Sequence, residues 1–146
     1  RNPVLGGNMS TTWDTVIEGM EIPTLAKNCN TQQLVHWAAA SGDFYQIHYD
    51  HNFAEATGLE NIIVHGALKH AFLGQLLHDW IGNEGSIKKV GCSYRGMDFP
   101  DQDIQCKGIV TRKYEENGEK LVDLEIWTEN PDGQRTSPGV ATVQLP

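Results

Sequence analysis

The chain of 146 residues carries 19 acidic against 11 basic side chains, a formal net charge of -8, and 39% of its residues are hydrophobic. The acidic excess argues against a nucleic-acid partner, because holding a phosphate backbone needs clustered Lys and Arg; a local basic patch would still serve a small anionic ligand. Length and apolar content fit one domain with a modest core, which an oligomeric interface could extend.

Residues 1–14, rich in Gly, Asn, Ser and Thr, read as an irregular arm, and a single domain follows over 15–146. Between Ile17 and Cys29, the residues Ile22, Leu25 and Ala26 suggest a first strand, interrupted by Pro23. Thr31 is a fair N-cap for a helix through Leu34, Val35, Trp37 and Ala38 to Ala40, and Gly42 stops it. Asp50 or Asn52 caps a short helix, Phe53 to Thr57, closed by Gly58. A long helix runs from about Gly66 to Ile81. Leu68, Phe72, Leu73, Leu76, Leu77, Trp80 and Ile81 cover most of it, leaving a stripe of His70, Gly74 and His78 flanked by Lys69, Gln75 and Asp79. A helix so apolar is buried against a sheet or a partner.

After Gly82 the period becomes two: Val90, Cys92 and Tyr94 alternate with Gly91, Ser93 and Arg95. Ile104, Cys106 and Val110 share one face of the next strand, and Glu116-Asn117-Gly118 makes a hairpin turn. Val122, Leu124 and Ile126 then face inward, opposite Asp123, Glu125, Trp127 and Glu129. Pro131-Asp132-Gly133 turns the chain into a last strand with Ala141, Val143 and Leu145. Helices followed by antiparallel strands predict an α+β fold, one sheet wrapped around the long helix. Cys29, Cys92 and Cys106 are odd in number and lack CxxC spacing, which favours a reducing interior. Arg1 to Ser10 have no apolar core of the kind a signal peptide needs, and Ala67 to Ile81 is too short and too charged to span a bilayer. The expectation is a soluble, cytoplasmic protein.

The chemistry concentrates in Ala40–Ala54, where Asp43 and His48 stand five residues apart. That spacing puts them on different sides of a helix and on opposite faces of a strand, so only a bent loop can aim both at one point. Gly42 and the break in periodicity after Ala40 supply such a bend. A carboxylate and an imidazole that converge can hold a water and move its protons in both directions. The competing reading is structural: an Asp capping a turn and a His satisfying a carbonyl.

The neighbourhood decides between them. Ser41-Gly42-Asp43, Ile47-His48 and Ala54 resemble the hydratase-2 signature of MaoC-like proteins, the (R)-specific enoyl-CoA hydratases and dehydratases. That signature runs Ser/Thr-Gly-Asp-x-Asn-Pro-(Ile/Leu/Val)-His with a later Ala or Ser; Tyr45 and Gln46 stand here in place of Asn and Pro. Ile63-Val64-His65-Gly66-Ala67-Leu68 resembles the family's Ile-Val-His-Gly-Met-Leu, and Ala141 to Pro146 its last strand. The resemblance implies the hotdog fold and a reversible addition of water to a trans-2-enoyl-CoA. Asp43 and His48 would be catalytic, with Asp43 as base and His48 positioning the water; which of them returns the proton stays open. Gly66, at the helix start, would offer the oxyanion donor, with a favourable helix dipole. His65, Tyr45 and Gln46 would border the substrate. Lys88, Lys89, Arg95 and the Arg112-Lys113 pair are the cations available to coenzyme A, which comes with the substrate, so no other cofactor is expected.

Asp43, Asp50, His48 and His51 tempt a metal assignment, as do His65, His70, His78 and Asp79, but no Cys is near and hydration of an enoyl thioester needs no metal. Two other functions compete. A hotdog thioesterase uses a carboxylate on or near the central helix, where this chain has only Asp79 at the far end. A non-catalytic acyl-CoA-binding subunit of a hetero-oligomer would have no need of the Asp43–His48 pair. A homodimer or higher homo-oligomer is expected, since one sheet leaves an edge open.

Overall fold

A computed structural model describes residues 11–146, so residues 1–10 of the expected arm lie outside the described residues. Its last residues are docked: Trp13–Thr15 form a 3-10 turn, the Trp13 backbone N–H donates to the Pro146 carbonyl at 3.0 Å, and its indole N–H donates to the Leu121 carbonyl at 3.2 Å.

Five strands, β1 (Leu25–Asn28), β2 (Ser86–Cys92), β3 (Asp103–Glu116), β4 (Glu119–Glu129) and β5 (Arg135–Gln144), form one antiparallel sheet in the order β1-β3-β4-β5-β2. The described residues also form three α-helices, α1 (Thr31–Ser41), α2 (His51–Ala56) and α3 (Gly66–Ile81). The sheet curls around α3, which touches β2, β3, β4 and β5, and the arrangement is the hotdog. Inward residues meet in register, Val122 against Val143 and Leu124 between Val110 and Ala141, and the core they build closes on Leu73, Leu76 and Leu77 of α3.

The first strand is shorter than the apolar run suggests. Pro23 has no N–H for a ladder, so the chain before β1 follows β3 only through the Glu21–Ile109 bridge and single bonds such as Ile22 N–H to the Gly108 carbonyl. Period two fails in β2 at a bulge between Ile87 and Lys89, and Tyr94 lies beyond the strand, half exposed. The largest correction concerns Lys69: it does not flank an exposed stripe but is buried at 2% exposure beside Asp98. Helix caps differ by one residue or resolve a choice. Asn30, not Thr31, caps α1 by accepting the Gln33 N–H, and Asp50 caps α2 by accepting the Phe53 N–H. Gly42 ends α1 at φ 78°, a left-handed conformation that a side chain resists, and turns the chain toward the site.

Candidate active site

From Gly42 the chain crosses an exposed loop holding Asp43 to Tyr45 and enters a 3-10 turn, Gln46–His48, so the bend between the two residues exists. It brings Asp43 Oδ2 to 3.8 Å from His48 Nε2. That gap is too long for a hydrogen bond. It suits one water that lies about 2.8 Å from both atoms and donates a proton to each.

Each residue divides its atoms between structure and this shared point. His48 Nδ1 lies 2.8 Å from the Ile63 carbonyl; a carbonyl only accepts, so Nδ1 carries the proton and Nε2 is an acceptor facing Asp43. Asp43 Oδ1 accepts the Tyr45 N–H at 3.3 Å, which leaves Oδ2 for the pair. His48 is buried, whereas the Asp43 side chain is 47% exposed and open to exchange with solvent.

Beside the pair lies a cavity of about 310 Å³. His48, Gly66 and Lys69 line one side, Ile63 and Val64 extend it, and the segment Tyr94 to Met97 forms the opposite wall. Gly66 is the first residue of α3, where N–H groups have no intrahelical partner. Its N–H has no other partner among the described residues, and the helix dipole favours negative charge in front of it. The Tyr94 ring lies over Gly66: a Cβ there would stand 2.7 Å from the ring. The missing side chain thus lets the ring lie directly against the helix start.

The other predicted residues separate into near and far. Tyr45 is half exposed at the rim, edge-on to His48 with ring centroids 6.3 Å apart. Gln46 is exposed, and its carbonyl accepts from Tyr49 and Asp50, so its backbone builds the turn. Arg95 reaches the cavity wall. Lys88 is paired with Glu119 at 2.7 Å and shares the other end of β2 with Lys89, away from the cavity. Arg112 and Lys113 lie over the rings of Tyr114 and Trp13. Lys69, Tyr94, Gly96 and Met97 are the lining residues that the sequence did not single out. A charge between Leu68 and Phe72, in the most apolar part of the helix, was the available signal for Lys69.

His65 has no exposed surface and touches the pair from behind. Its ring stacks on that of His48 at 3.8 Å, and its Nε2 donates to the Asp43 carbonyl at 3.3 Å. His65 Nδ1 is buried with no partner among the described residues. Atoms of Asp43, His48 and His65 lie within 4.8 Å of one another, close enough to suggest an ion. The ring planes are only 20° apart, so the in-plane lone pairs run side by side and do not meet at one metal. Asp50 is used as a helix cap and His51 pairs with Glu55, so neither joins this group.

Burial, and next the neighbouring His48, hold the His65 pKa below its ordinary value. The folded state therefore binds fewer protons than the unfolded one, and stability is lost as pH falls through about 6.5 and lower. His65→Phe keeps a stacking ring without the titration. Its Tm should fall less than the wild type's between about pH 7.5 and about pH 5; an equal fall in both proteins would show that His65 does not titrate in this way.

The profile of the MaoC like domain family matches residues 10–129. The (R)-specific enoyl-CoA hydratase of Aeromonas caviae is 29% identical over 123 residues, 84% of this chain and 90% of that protein. The solved (R)-hydratase of A. caviae involved in PHA biosynthesis superposes with a TM-score of 0.83 at 26% identity, covering 90% of this chain and 98% of its own. An R-hydratase from Pseudomonas aeruginosa shares the fold at TM-score 0.84 and 20% identity, over 92% of this chain and 85% of its own. A stretch of 73 residues, 49% of this chain, is 36% identical to the fatty acid synthase beta subunit TOXC of Cochliobolus carbonum, of which it spans only 4%. By this match over most of its length, the chain belongs to the MaoC-like domain family.

Proposed function

We propose that the chain is an (R)-specific enoyl-CoA hydratase, equally able to run as a 3-hydroxyacyl-CoA dehydratase. The observation that carries this reading is the convergence of Asp43 Oδ2 and His48 Nε2, 3.8 Å apart, beside a largely apolar cavity that Gly66 lines. The acyl chain of a trans-2-enoyl thioester occupies the cavity, and its carbonyl oxygen meets the Gly66 N–H. Water, held by both side chains, bonds through oxygen to the β-carbon while one proton passes to Asp43. The alkene electrons move onto the thioester oxygen as an enolate, which the Gly66 N–H and the α3 dipole stabilise. The enolate collapses as the α-carbon takes a proton from the Asp43–His48 pair, giving a 3-hydroxyacyl thioester. Its (R) hand is inferred from the A. caviae relative. The steps use a base, an acid and an oxyanion donor, all present in this chain, so the only coenzyme required is the coenzyme A of the substrate. Arg95, on the cavity wall, is the cation suited to its phosphates. A thioesterase centred on Asp79 is disfavoured: that residue lies 13 positions beyond Gly66 on α3, about 20 Å away at 1.5 Å per residue.

The same reading includes a homodimer. Ile81 is covered within one chain, so the demand for a partner comes from the sheet: among the described residues β2 pairs only with β5 and leaves its other edge open. Pairing of that edge with a twin would cover it. No helix among the described residues is long and apolar enough to cross a membrane.

Two measurements test the reading. Asp43→Asn keeps an acceptor for the Tyr45 N–H and His48→Gln can still donate to the Ile63 carbonyl, so both should fold. Each should lower hydration of crotonyl-CoA by about 10²–10⁴-fold, followed as loss of the enoyl absorbance; wild-type turnover in either folded variant would refute the mechanism. Sedimentation at micromolar concentration should give at least twice 16.2 kDa, and a purely monomeric boundary would remove the dimer.

A further inference from the structure

We propose that the buried Lys69–Asp98 ion pair is a positioning element of the site, a clamp that holds the Tyr94–Met97 wall to the first turn of α3 and so sets the width of the acyl cavity. The inference rests on the hydratase reading of that cavity. Both side chains are 2% exposed, and Lys69 Nζ lies 2.9 Å from Asp98 Oδ2 and 2.9 Å from the Gly96 carbonyl. The Asp98 carbonyl in turn accepts the Val64 N–H at 2.8 Å, two residues before Gly66.

On its other side the wall is fixed by β5, where Arg95 and Gly96 both donate N–H groups to the Thr136 carbonyl at 2.9 Å. The segment is thus strung between β5 and the helix start. Little apolar burial holds it in place: Tyr94 is 56% exposed and Met97 is 50% exposed. The clamp replaces that missing adhesion. Packing alone gives no reason for a lysine here, since Leu68, Phe72 and Leu73 around it on α3 are buried and apolar. A buried ion pair is costly to desolvate and is often matched or bettered in stability by apolar residues. What it adds is direction, because the ammonium bonds the Gly96 carbonyl and the Asp98 carboxylate in one arrangement. Asp98 Oδ1 is buried without a partner among the described residues, so the carboxylate is committed to Lys69.

Removing Lys69 alone would leave an orphan buried carboxylate, so the test uses Lys69→Met with Asp98→Leu, and separately Asp98→Asn, which keeps the acceptor but not the charge. Hydrogen exchange is followed without ligand in peptides covering residues 62–66 and 93–99. The double variant should exchange about tenfold faster there, and Asp98→Asn should fall between it and wild type, with the β3–β4 hairpin unchanged. In kinetics, KM for crotonyl-CoA should rise and the preference between short and long enoyl chains should relax, while the pH profile of kcat keeps its shape. Unchanged exchange would overturn the clamp, as would faster exchange with unaltered KM and chain-length ranking. The exchange measurement needs no turnover, so a protein that proves not to be a hydratase and a clamp that does not exist give different results.

Discussion

Leu73 and Leu77 have no exposed surface, and Leu68, Phe72, Leu76 and Ile81 are nearly as deep, so α3 is enclosed by the sheet along most of its length. Burying each such side chain stabilises the fold by roughly 1.5–3 kcal/mol. Several of them together outweigh the several kcal/mol that desolvating one lysine and one aspartate costs. The consequence for chemistry is local. Because the helix cannot shift without opening the core, its first turn is a fixed reference. Gly66 presents its N–H there, His65 backs the Asp43–His48 pair, and Lys69 reaches across to the opposite wall.

In Asp43 and His48 a structural duty coincides with the catalytic one proposed for them. The competing structural reading of these residues is correct for one atom of each: Asp43 Oδ1 receives a loop N–H, and His48 Nδ1 donates to the Ile63 carbonyl. Those bonds orient the remaining atoms, Oδ2 and Nε2, toward each other. Without the Ile63 bond the His48 tautomer would be free to change, and Nε2 would no longer be a fixed acceptor. His65 adds a second restraint through its stack on His48, and burial, with the neighbouring His48 next, holds its pKa low, which favours the uncharged ring in that stack.

Much of this was legible in the sequence wherever the determinant is local. The extent of α3, the halt at Gly42, the Asn117-Gly118 turn and the inward faces of β3 and β4 follow from neighbouring residues, and all appear where the periodicity puts them. Elements that depend on distant partners were not legible. Pro23 shortens β1 through a ladder bond it cannot make with β3, and the Ile87/Lys89 bulge in β2 disturbs the alternation that Tyr94 seemed to continue. Lys69 looks like a solvated charge until Asp98, 29 residues later, is brought against it. At the site, the signature placed Asp43, His48 and Gly66, but the stack of His65 on His48 and the wall from Tyr94 to Met97 come from folding alone.

The central claim is that one acid–base pair on one side of the cavity handles both the water and the returning proton. The most direct test is hydration of crotonyl-CoA in deuterium oxide, with the product's relative configuration at the α- and β-carbons read by proton NMR. A single pair acting from one side predicts a product with deuterium and hydroxyl added to the same face. Addition to opposite faces would require a second proton source across the substrate and would contradict the account.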